Sequence, residues 1–297
     1  MKKIAPLYAA AVLFAPWYLG NARHPPLIFA HRGARSLAPE NTCAAARAAA
    51  QIGADGWEFD VRLTKDGELI LMHDETLART TNVEDLFPLR KPWKVSDFTY
   101  AEVSELDAGS WFLEEDPFGT LRSGELPREE AMLFRGEKVP TLREALMLSL
   151  DLGLLVNIEI KSAVSPLNFS ASDEIAVKQT VALVRELNMT DQVLISSFNP
   201  GIVRLAGLLA PELKVALLLD RPIKGLDKLL KELGISVLNL NHRLFSDAEL
   251  CNFRKQGYEI YLWTVNDPPE IARFLSNPCV TGIITDWPQR VPQRPPR

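Results

Sequence analysis

The chain has 297 residues, of which 47% are hydrophobic and 24% are charged, as is typical of a globular protein. This length allows one barrel-sized domain or two smaller domains. The formal charge of -5 and the pI near 5.5 exclude a general electrostatic attraction to nucleic acid or anionic lipid. No nucleic-acid partner and no protein partner is predicted, and an anionic substrate must be met by local positive charge.

The N-terminus begins with Lys2 and Lys3, which precede an apolar run over residues 4–20. This pattern predicts a secretory signal peptide over residues 1–22, with an uncleaved membrane anchor or tether as the alternative. A packed N-terminal helix is disfavoured by Pro6 and Pro16. The expected location is therefore periplasmic or extracellular, or membrane-anchored with the folded domain outside the cytoplasm.

The three cysteines, Cys43, Cys251 and Cys279, are odd in number and scattered. They lack the spacing of a zinc site, so neither a zinc site nor a disulfide framework is predicted. A single disulfide bridge remains open.

From Leu27 onward, short apolar segments alternate with helical patterns. The candidate strands are Leu27–Ala30, Gly56–Val61, Leu69–His73, Leu154–Ile160, Val193–Phe198, Lys214–Leu219, Val237–Leu240, Glu259–Val265 and Gly282–Thr285. Continuous apolar strands separated by amphipathic helices indicate a parallel sheet that is covered by helices. We therefore predict an α/β fold, a (β/α)8 TIM barrel over residues 27–290, with a doubly wound sheet as the alternative.

Nine candidates exceed the eight strands of a barrel. A turn signal at Lys65-Asp66-Gly67 suggests that the second and third form a hairpin-like pair. Residues 75–139 follow without a strand–helix repeat and contain four prolines among their aromatic residues. We interpret them as a small inserted subdomain after the third strand, capping one end of the barrel. Helix resumes at Thr141, a predicted N-cap with Glu144 three residues later.

Charged residues lie in or directly after several predicted strands. Glu58 and Asp60 are two residues apart, so their side chains project to the same face of a strand, and Glu159 from another strand adds a third carboxylate. Their mutual repulsion in a barrel interior calls for positive charge, and an all-oxygen set favours Ca²⁺ or Mg²⁺ over zinc. The alternative is a structural network of ion pairs with Arg or Lys.

Two of the four histidines, His31 and His73, end separate predicted strands beside these carboxylates. Because imidazole titrates near working pH, one can accept a proton while the other donates one. Arg32 and Lys161 are candidates for binding phosphoryl oxygens. The remaining two histidines, His24 and His242, are interpreted as surface or structural residues.

The ordered motifs resemble the glycerophosphodiester phosphodiesterase family, a group of PLC-like phosphodiesterases with a TIM barrel. They are His31-Arg32-Gly33, Pro39-Glu40-Asn41-Thr42, Glu58-Phe59-Asp60-Val61, Thr64-Lys65-Asp66-Gly67, His73-Asp74, Asp107-Ala108-Gly109, Pro140-Thr141-Leu142, Glu159-Ile160-Lys161, Ser197-Phe198, Trp263-Thr264-Val265-Asn266 and Thr285-Asp286. The resemblance covers residues 27–287.

The resemblance implies metal-dependent hydrolysis of a small-molecule glycerophosphodiester to sn-glycerol 3-phosphate and an alcohol, through a cyclic phosphate. It implies that the residues matching Glu58, Asp60 and Glu159 hold one divalent cation, Ca²⁺ or Mg²⁺. The two histidines would act as general acid and base, while the matching basic residues contact the phosphate. Candidate pocket residues are Trp263, Ser197 and Phe198.

Other functions remain open from sequence alone. A related PLC-like enzyme or a lysophospholipase D would act on lipid substrates with the same kind of site. From a different class, an exported binding protein with a degenerate site would have lost at least one catalytic position, and none of the seven polar site residues is lost.

Overall fold

The computed structural model describes residues 25–163 and 168–292 of the chain. The predicted N-terminal signal or anchor at residues 1–22 and the interpretation of His24 lie outside the described residues. Among the residues that are described, no helix combines the length and apolarity that crossing a bilayer would require.

The described residues contain nine strands that belong to a single sheet. In chain order they are β1 (Leu27–His31), β2 (Gly56–Leu63), β3 (Leu69–Leu71), β4 (Leu155–Ile160), β5 (Val193–Ser197), β6 (Lys214–Leu219), β7 (Val237–Asn241), β8 (Glu259–Trp263) and β9 (Gly282–Thr285). All pairs except β2–β3 are parallel, and β1 pairs with both β9 and β2. Eight parallel strands thus close into a barrel, which confirms the predicted (β/α)8 fold.

Helices surround the barrel and form the inserted segment. They are α1 (Cys43–Gln51), α2 (Val83–Leu86), α3 (Tyr100–Val103), α4 (Ser110–Glu115), α5 (Thr120–Ser123), α6 (Arg128–Ala131), α7 (Leu142–Leu152), α8 (Ala171–Glu186), α9 (Pro200–Leu209), α10 (Leu226–Leu233), α11 (Asp247–Lys255) and α12 (Pro268–Leu275). As predicted, Thr141 caps α7 in a capping box with Glu144.

The third strand is the ninth member of the sheet and is not part of the barrel. β2 extends past the barrel rim, and β3 pairs with that extension antiparallel, from Leu63 opposite Leu69 to Val61 opposite Leu71. This confirms the hairpin-like pair. It also corrects the placement of His73, which was predicted at the carboxyl end of a strand like those of the barrel. His73 instead follows a strand that runs back towards the rim.

The barrel interior is filled by side chains from alternating strand positions. At its closed end Phe29 and Tyr261 meet edge to face with centroids 5.7 Å apart. Gly282 leaves room for the tyrosine ring, since a Cβ at residue 282 would lie 2.7 Å from it. The alternate residues Trp57 and Phe59 point outward and are fully buried under the helices. Apolar packing at one end therefore leaves the other end for polar groups.

The inserted subdomain, residues 75–139, contains α2–α6 and has a small core of its own. Leu77, Trp93, Phe98 and Leu106 are buried there, and they pack against Met72 next to the β2–β3 extension. The subdomain is therefore anchored on the same extension that carries His73.

Candidate active site

Three buried carboxylates converge at the barrel rim. Glu58 and Asp60 both face inward from β2, and Asp60 lies in register with Glu159 on the neighbouring β4. One carboxylate oxygen from each residue lies within 4.8 Å of the others. The predicted grouping of these three residues is thus present, because β2 and β4 are adjacent in the barrel.

The carboxylates strongly perturb one another. Burial raises the pKa of Glu58, and the charges of Asp60 and Glu159 raise it further. Burial also raises the pKa of Glu159, against the opposing effect of Lys161. The pKa of Asp60 is lowered because Lys161 and Arg32 outweigh its burial. Such a cluster stays fully ionised only with additional positive charge.

Lys161 and Arg32 supply part of that charge. The Lys161 Nζ lies 2.5 Å from Glu159 Oε1 and 2.9 Å from Asp60 Oδ1. The Arg32 Nε lies 3.4 Å from Asp60 Oδ2, and its main-chain N–H donates to Glu58 Oε2 at 3.0 Å. Burial opposes the charge of both basic groups, yet the carboxylates raise the pKa of each. The two residues predicted to bind phosphate therefore border the carboxylate cluster.

A tight turn aims Arg32 at this cluster. Arg32 and Gly33 both adopt left-handed backbone conformations, with φ of 53° and 80°. A side chain at residue 33 would place its Cβ 2.4 Å from the Cβ of Ala45 in α1, so glycine is required at this close approach.

The donor set fits a hard divalent cation. The three carboxylates are buried, all-oxygen and mutually repulsive, and burial raises the pKa of two of them, Glu58 and Glu159. This chemistry matches the oxygen ligands that Ca²⁺ and Mg²⁺ prefer. The other interpretation, an ion-pair network, is also represented in the structure by the contacts of Lys161 and Arg32.

His31 ends β1 and is held by Asp286, the residue that directly follows β9. Its Nδ1 lies 2.6 Å from Asp286 Oδ1, and its Nε2 lies 3.9 Å from Glu58 Oε2. The pKa of Asp286 is about 2, because the interactions with His31 and Arg35 outweigh burial. An ionised Asp286 accepts the Nδ1 proton, which leaves the Nε2 lone pair of His31 facing the carboxylate cluster. Burial, followed by the charge of Arg32, lowers the pKa of His31 itself.

His73 has a comparable carboxylate partner, Asp74, whose Oδ1 lies 2.7 Å from His73 Nδ1. Its main-chain carbonyl accepts a hydrogen bond from Arg62 Nε at 3.0 Å. The main-chain N–H of the preceding residue, Met72, donates to the Asp60 carbonyl at 3.0 Å, which brings His73 beside the part of β2 that carries the carboxylates. Both predicted histidines are thus brought to one site.

Several residues that sequence reasoning did not assign to the site support it. Asn41 Nδ2 donates to Asp60 Oδ2 at 2.9 Å, while its Oδ1 accepts from the Asp60 main-chain N–H at 3.2 Å. Asn41 is therefore a partner of Asp60, and Thr42 is the N-cap of α1. The other unassigned residues are Asp286, Asp74, Glu40, Arg35 and Arg79.

A cleft of about 280 Å³ opens beside the cluster, and Arg62, Lys161 and Phe198 are among the residues that line it. The Phe198 ring contacts Trp263 edge to face at 5.6 Å. Ser197 also lines the cleft, but its hydroxyl donates to the Ile160 carbonyl and accepts from the Asn199 main-chain N–H. The three predicted pocket residues are therefore close together, with the Ser197 hydroxyl committed to the backbone.

His242 is nearly buried, with its Nδ1 3.4 Å from Glu270 Oε1, in keeping with a structural role. The cysteines are also distinct from the site: Cys251 and Cys279 form a disulfide, and Cys43 has a free thiol. The single bridge that the sequence left open is thus present in the structure.

Comparison with known proteins decides the family. The profile of the glycerophosphoryl diester phosphodiesterase family matches residues 31–290. The chain belongs to this family. A glycerophosphodiester phosphodiesterase from Caldanaerobacter subterraneus is 36% identical, with 89% of this chain and 95% of that protein aligned. A second, from Bacillus subtilis, is 32% identical over 91% of this chain and 87% of that protein.

Solved structures show the same architecture. An Oleispira antarctica phosphodiesterase in complex with the product sn-glycerol 3-phosphate has a TM-score of 0.73 and 26% identity, covering 90% of this chain and 95% of that one. A glycerophosphodiester phosphodiesterase from Agrobacterium tumefaciens has a TM-score of 0.67 and 29% identity, covering 90% and 98%. The predicted resemblance and the barrel are confirmed.

Proposed function

We propose that this glycerophosphodiester phosphodiesterase hydrolyses deacylated glycerophosphodiesters to sn-glycerol 3-phosphate and an alcohol, at one divalent cation, with His31 and His73 as general acid and base. One observation carries the proposal: two imidazoles, each held at Nδ1 by a carboxylate, border one cluster of three buried carboxylates. The product named in the Oleispira antarctica complex supports the same chemistry.

In this mechanism Glu58, Asp60 and Glu159 would hold the cation, Ca²⁺ or Mg²⁺. When bound, the ion supplies Lewis-acid charge that stabilises negative phosphoryl oxygens. Lys161 and Arg32 add positive charge from the protein side, and their carboxylate partners orient them.

The two histidines move the protons. The glycerol 2-hydroxyl attacks phosphorus and gives its proton to one imidazole, while the other imidazole protonates the oxygen of the departing alcohol. Water then opens the cyclic phosphate with the two roles exchanged, which restores both histidines and yields sn-glycerol 3-phosphate. Asp286 and Asp74 keep the Nδ1 atoms protonated, so that each Nε2 is the atom that exchanges protons.

A deacylated substrate suits the cleft better than an acylated one. Arg62, Glu75, Lys161 and Ser162 bring charged and polar groups to its lining, together with the Phe198 ring. Such a lining favours a polar head group, whereas an acyl chain would need a continuous apolar surface. A binding protein with a degenerate site is disfavoured, because all seven polar site residues are present and assembled.

The test is product identification across head groups. Purified protein with Ca²⁺ or Mg²⁺ is assayed on glycerophosphocholine, glycerophosphoethanolamine, glycerophosphoinositol and lysophosphatidylcholine, with His31→Ala as the negative control. We expect glycerol 3-phosphate from the deacylated substrates and none from the control. Turnover of lysophosphatidylcholine alone would favour lysophospholipase D, and binding without turnover of any substrate would favour the binding-protein alternative.

The proposal also locates the enzyme outside the cytoplasm, as the N-terminal pattern predicts. The Cys251–Cys279 disulfide supports this location, since such bonds persist mainly in oxidising compartments. Alkylation of the protein as isolated from its native cells and then denatured without reductant, followed by mass spectrometry, should find one free thiol, at Cys43. Three alkylated cysteines would contradict export.

A further inference from the structure

Glu40 is a buried carboxylate to which the proposed mechanism gives no role. Its side chain is 2% exposed and is surrounded by three arginines. Arg32 Nη1 lies 2.9 Å and Arg79 Nη2 2.6 Å from Oε1, while Arg35 Nη2 lies 2.7 Å from Oε2. Burial opposes the charge, but these arginines outweigh it and hold the pKa of Glu40 at about 2. Glu40 is therefore an anion over the whole range in which the protein works.

One arm of this cluster leads to His73 through Arg79 and Asp74. The Arg79 Nε donates to Asp74 Oδ2 at 2.7 Å, and its Nη2 donates to Asp74 Oδ1 at 3.1 Å. Asp74 Oδ1 in turn lies 2.7 Å from His73 Nδ1. The two hydrogen bonds from the Arg79 guanidinium thus fix the Asp74 carboxylate, which in turn contacts the His73 imidazole.

The other arm leads to His31 through Arg35 and Asp286. The Arg35 Nη1 lies 3.7 Å from Asp286 Oδ1, which is the same oxygen that lies 2.6 Å from His31 Nδ1. Asn266 Nδ2 donates to the second Asp286 oxygen at 2.6 Å. Each histidine is thus connected to Glu40 by one aspartate and one arginine.

The structure assigns Glu40 as a positioning residue that aligns both histidines through Arg79 and Arg35. Long arginine side chains lose considerable rotamer freedom when they are held in place, and a shared buried anion stabilises both in one geometry. His31 and His73, which must act on opposite sides of one phosphorus, are then both held in place through the same residue, Glu40. The inference rests on the proposed function, because it takes the two histidines as acid and base.

The effects of the two arms can be distinguished by comparing substrates with different leaving groups. A 4-nitrophenyl ester of glycerol 3-phosphate releases a phenolate that needs no protonation, whereas glycerophosphocholine releases an alkoxide that does. Arg79→Gln and Arg35→Gln each loosen one arm. Since a small misplacement of a catalytic group can cost about 100-fold in rate, we expect kcat for glycerophosphocholine to fall roughly 10- to 100-fold in each variant, with a much smaller change in KM.

On the aryl ester the two variants should diverge. The variant whose arm serves the acid histidine recovers most of its kcat, and the variant whose arm serves the base histidine does not. A merely structural effect would lower turnover of both esters equally. Glu40→Gln loosens both arms and should lose turnover on both substrates. If Glu40→Gln fails to fold, as judged by circular dichroism, the two arginine variants decide the question.

Arg90→Gln is the matched control. Arg90 is an arginine of similar exposure in the inserted subdomain, 33% against 38% for Arg79, with its Nη1 2.5 Å from Glu102 Oε1. Its contacts do not lead to either histidine, so kcat should stay at the wild-type value. Equal losses of kcat in Arg79→Gln and Arg90→Gln would overturn the inference. It would also be overturned if Arg79→Gln and Arg35→Gln each lost the same factor in kcat on both esters. A wild-type protein inactive on both esters would instead overturn the proposed function.

Discussion

The two histidines have the same chemical setting, but different parts of the molecule provide it. His31 ends a barrel strand, its side chain is 16% exposed, and its partner Asp286 lies 255 residues away at the end of the neighbouring strand. His73 follows the antiparallel return outside the barrel, is 33% exposed, and has the next residue, Asp74, as its partner. The barrel frame thus fixes one histidine, while the strand extension and the inserted subdomain carry the other.

The different supports of the two histidines show that the barrel rim is extended on one side, and that this extension completes the candidate site. β1, β2 and β4 are neighbours in the sheet, so they deliver His31 and the three carboxylates together. The second imidazole comes from the return of β3, whose direction brings residues 72 and 73 back beside Asp60, and the Met72 main-chain N–H donates to the Asp60 carbonyl at 3.0 Å.

The largest expected effect is common to both regions. His31→Ala and His73→Ala should each lower kcat by about 10²- to 10⁴-fold, because each removes one proton-transfer group. The measurement is steady-state release of glycerol 3-phosphate, with circular dichroism to verify folding. Activity near the wild-type value in either folded variant would remove that histidine from the acid–base pair.

The next prediction concerns the carboxylate cluster on the barrel side of the site, where Glu58 lies next to His31. Glu58→Gln should raise the metal concentration needed for half-maximal activity by at least about 10-fold, since even groups outside the ligand set alter metal affinity by that factor. Titration of activity with Ca²⁺ and with Mg²⁺ measures this shift. An unchanged requirement would exclude Glu58 as a ligand.

A smaller effect should distinguish the two histidine partners. Asp286→Asn leaves a nearly buried imidazole without its charged acceptor, so kcat should fall by roughly 100-fold or more. Asp74→Asn should cost less, because water can reach the more exposed His73 and replace part of the interaction. Steady-state kinetics of the two variants, measured in parallel, give the two losses of kcat. A larger loss in Asp74→Asn than in Asp286→Asn would contradict the prediction that the buried His31 depends more on its partner.

The smallest effect on activity is expected from the disulfide, which lies outside the site. The bridge joins Cys251 in α11 to Cys279 across a sequence separation of 28 residues. Cys251→Ser should leave kcat unchanged while lowering the free energy of unfolding by roughly 3.5 kcal/mol through the entropy of the unfolded chain. Urea unfolding measures this loss, and Cys43→Ser is the control that removes a thiol but no bridge. Equal stability of wild type and Cys251→Ser would contradict the effect.

The barrel part of the site was predictable because strand order follows from simple rules. Apolar segments that alternate with helices predict parallel neighbours, and polar residues at their carboxyl ends must then share one rim. His31, Glu58, Asp60 and Glu159 were found in this way. His73 was proposed from its neighbours in the sequence, and the structure brings it to the same rim. The hairpin-like pairing of its strand was also predicted, but the direction in which that strand returns His73 to the rim was not.

The supporting residues were beyond sequence reasoning for a physical reason. Glu40, Arg35 and Arg79 lie in loops, where a charged residue is usually solvated. The burial of Glu40 and the contacts that Arg35 and Arg79 make with it follow only from how the loops pack together at the rim. Asp286 carried a usable signal, since it directly follows the last barrel strand. Its pairing with His31 depends on closure of β9 onto β1, which is visible only once the barrel is assembled.

The most direct test of the central claim, that a cation at the carboxylate cluster is needed for phosphodiester cleavage, is chelation followed by metal addition. The purified protein is treated with chelator and then assayed for glycerol 3-phosphate release from glycerophosphocholine before and after Ca²⁺ or Mg²⁺ is restored. We predict no release after chelation and recovery with at least one of the two ions. Full turnover by the chelated protein would contradict a metal site formed by Glu58, Asp60 and Glu159.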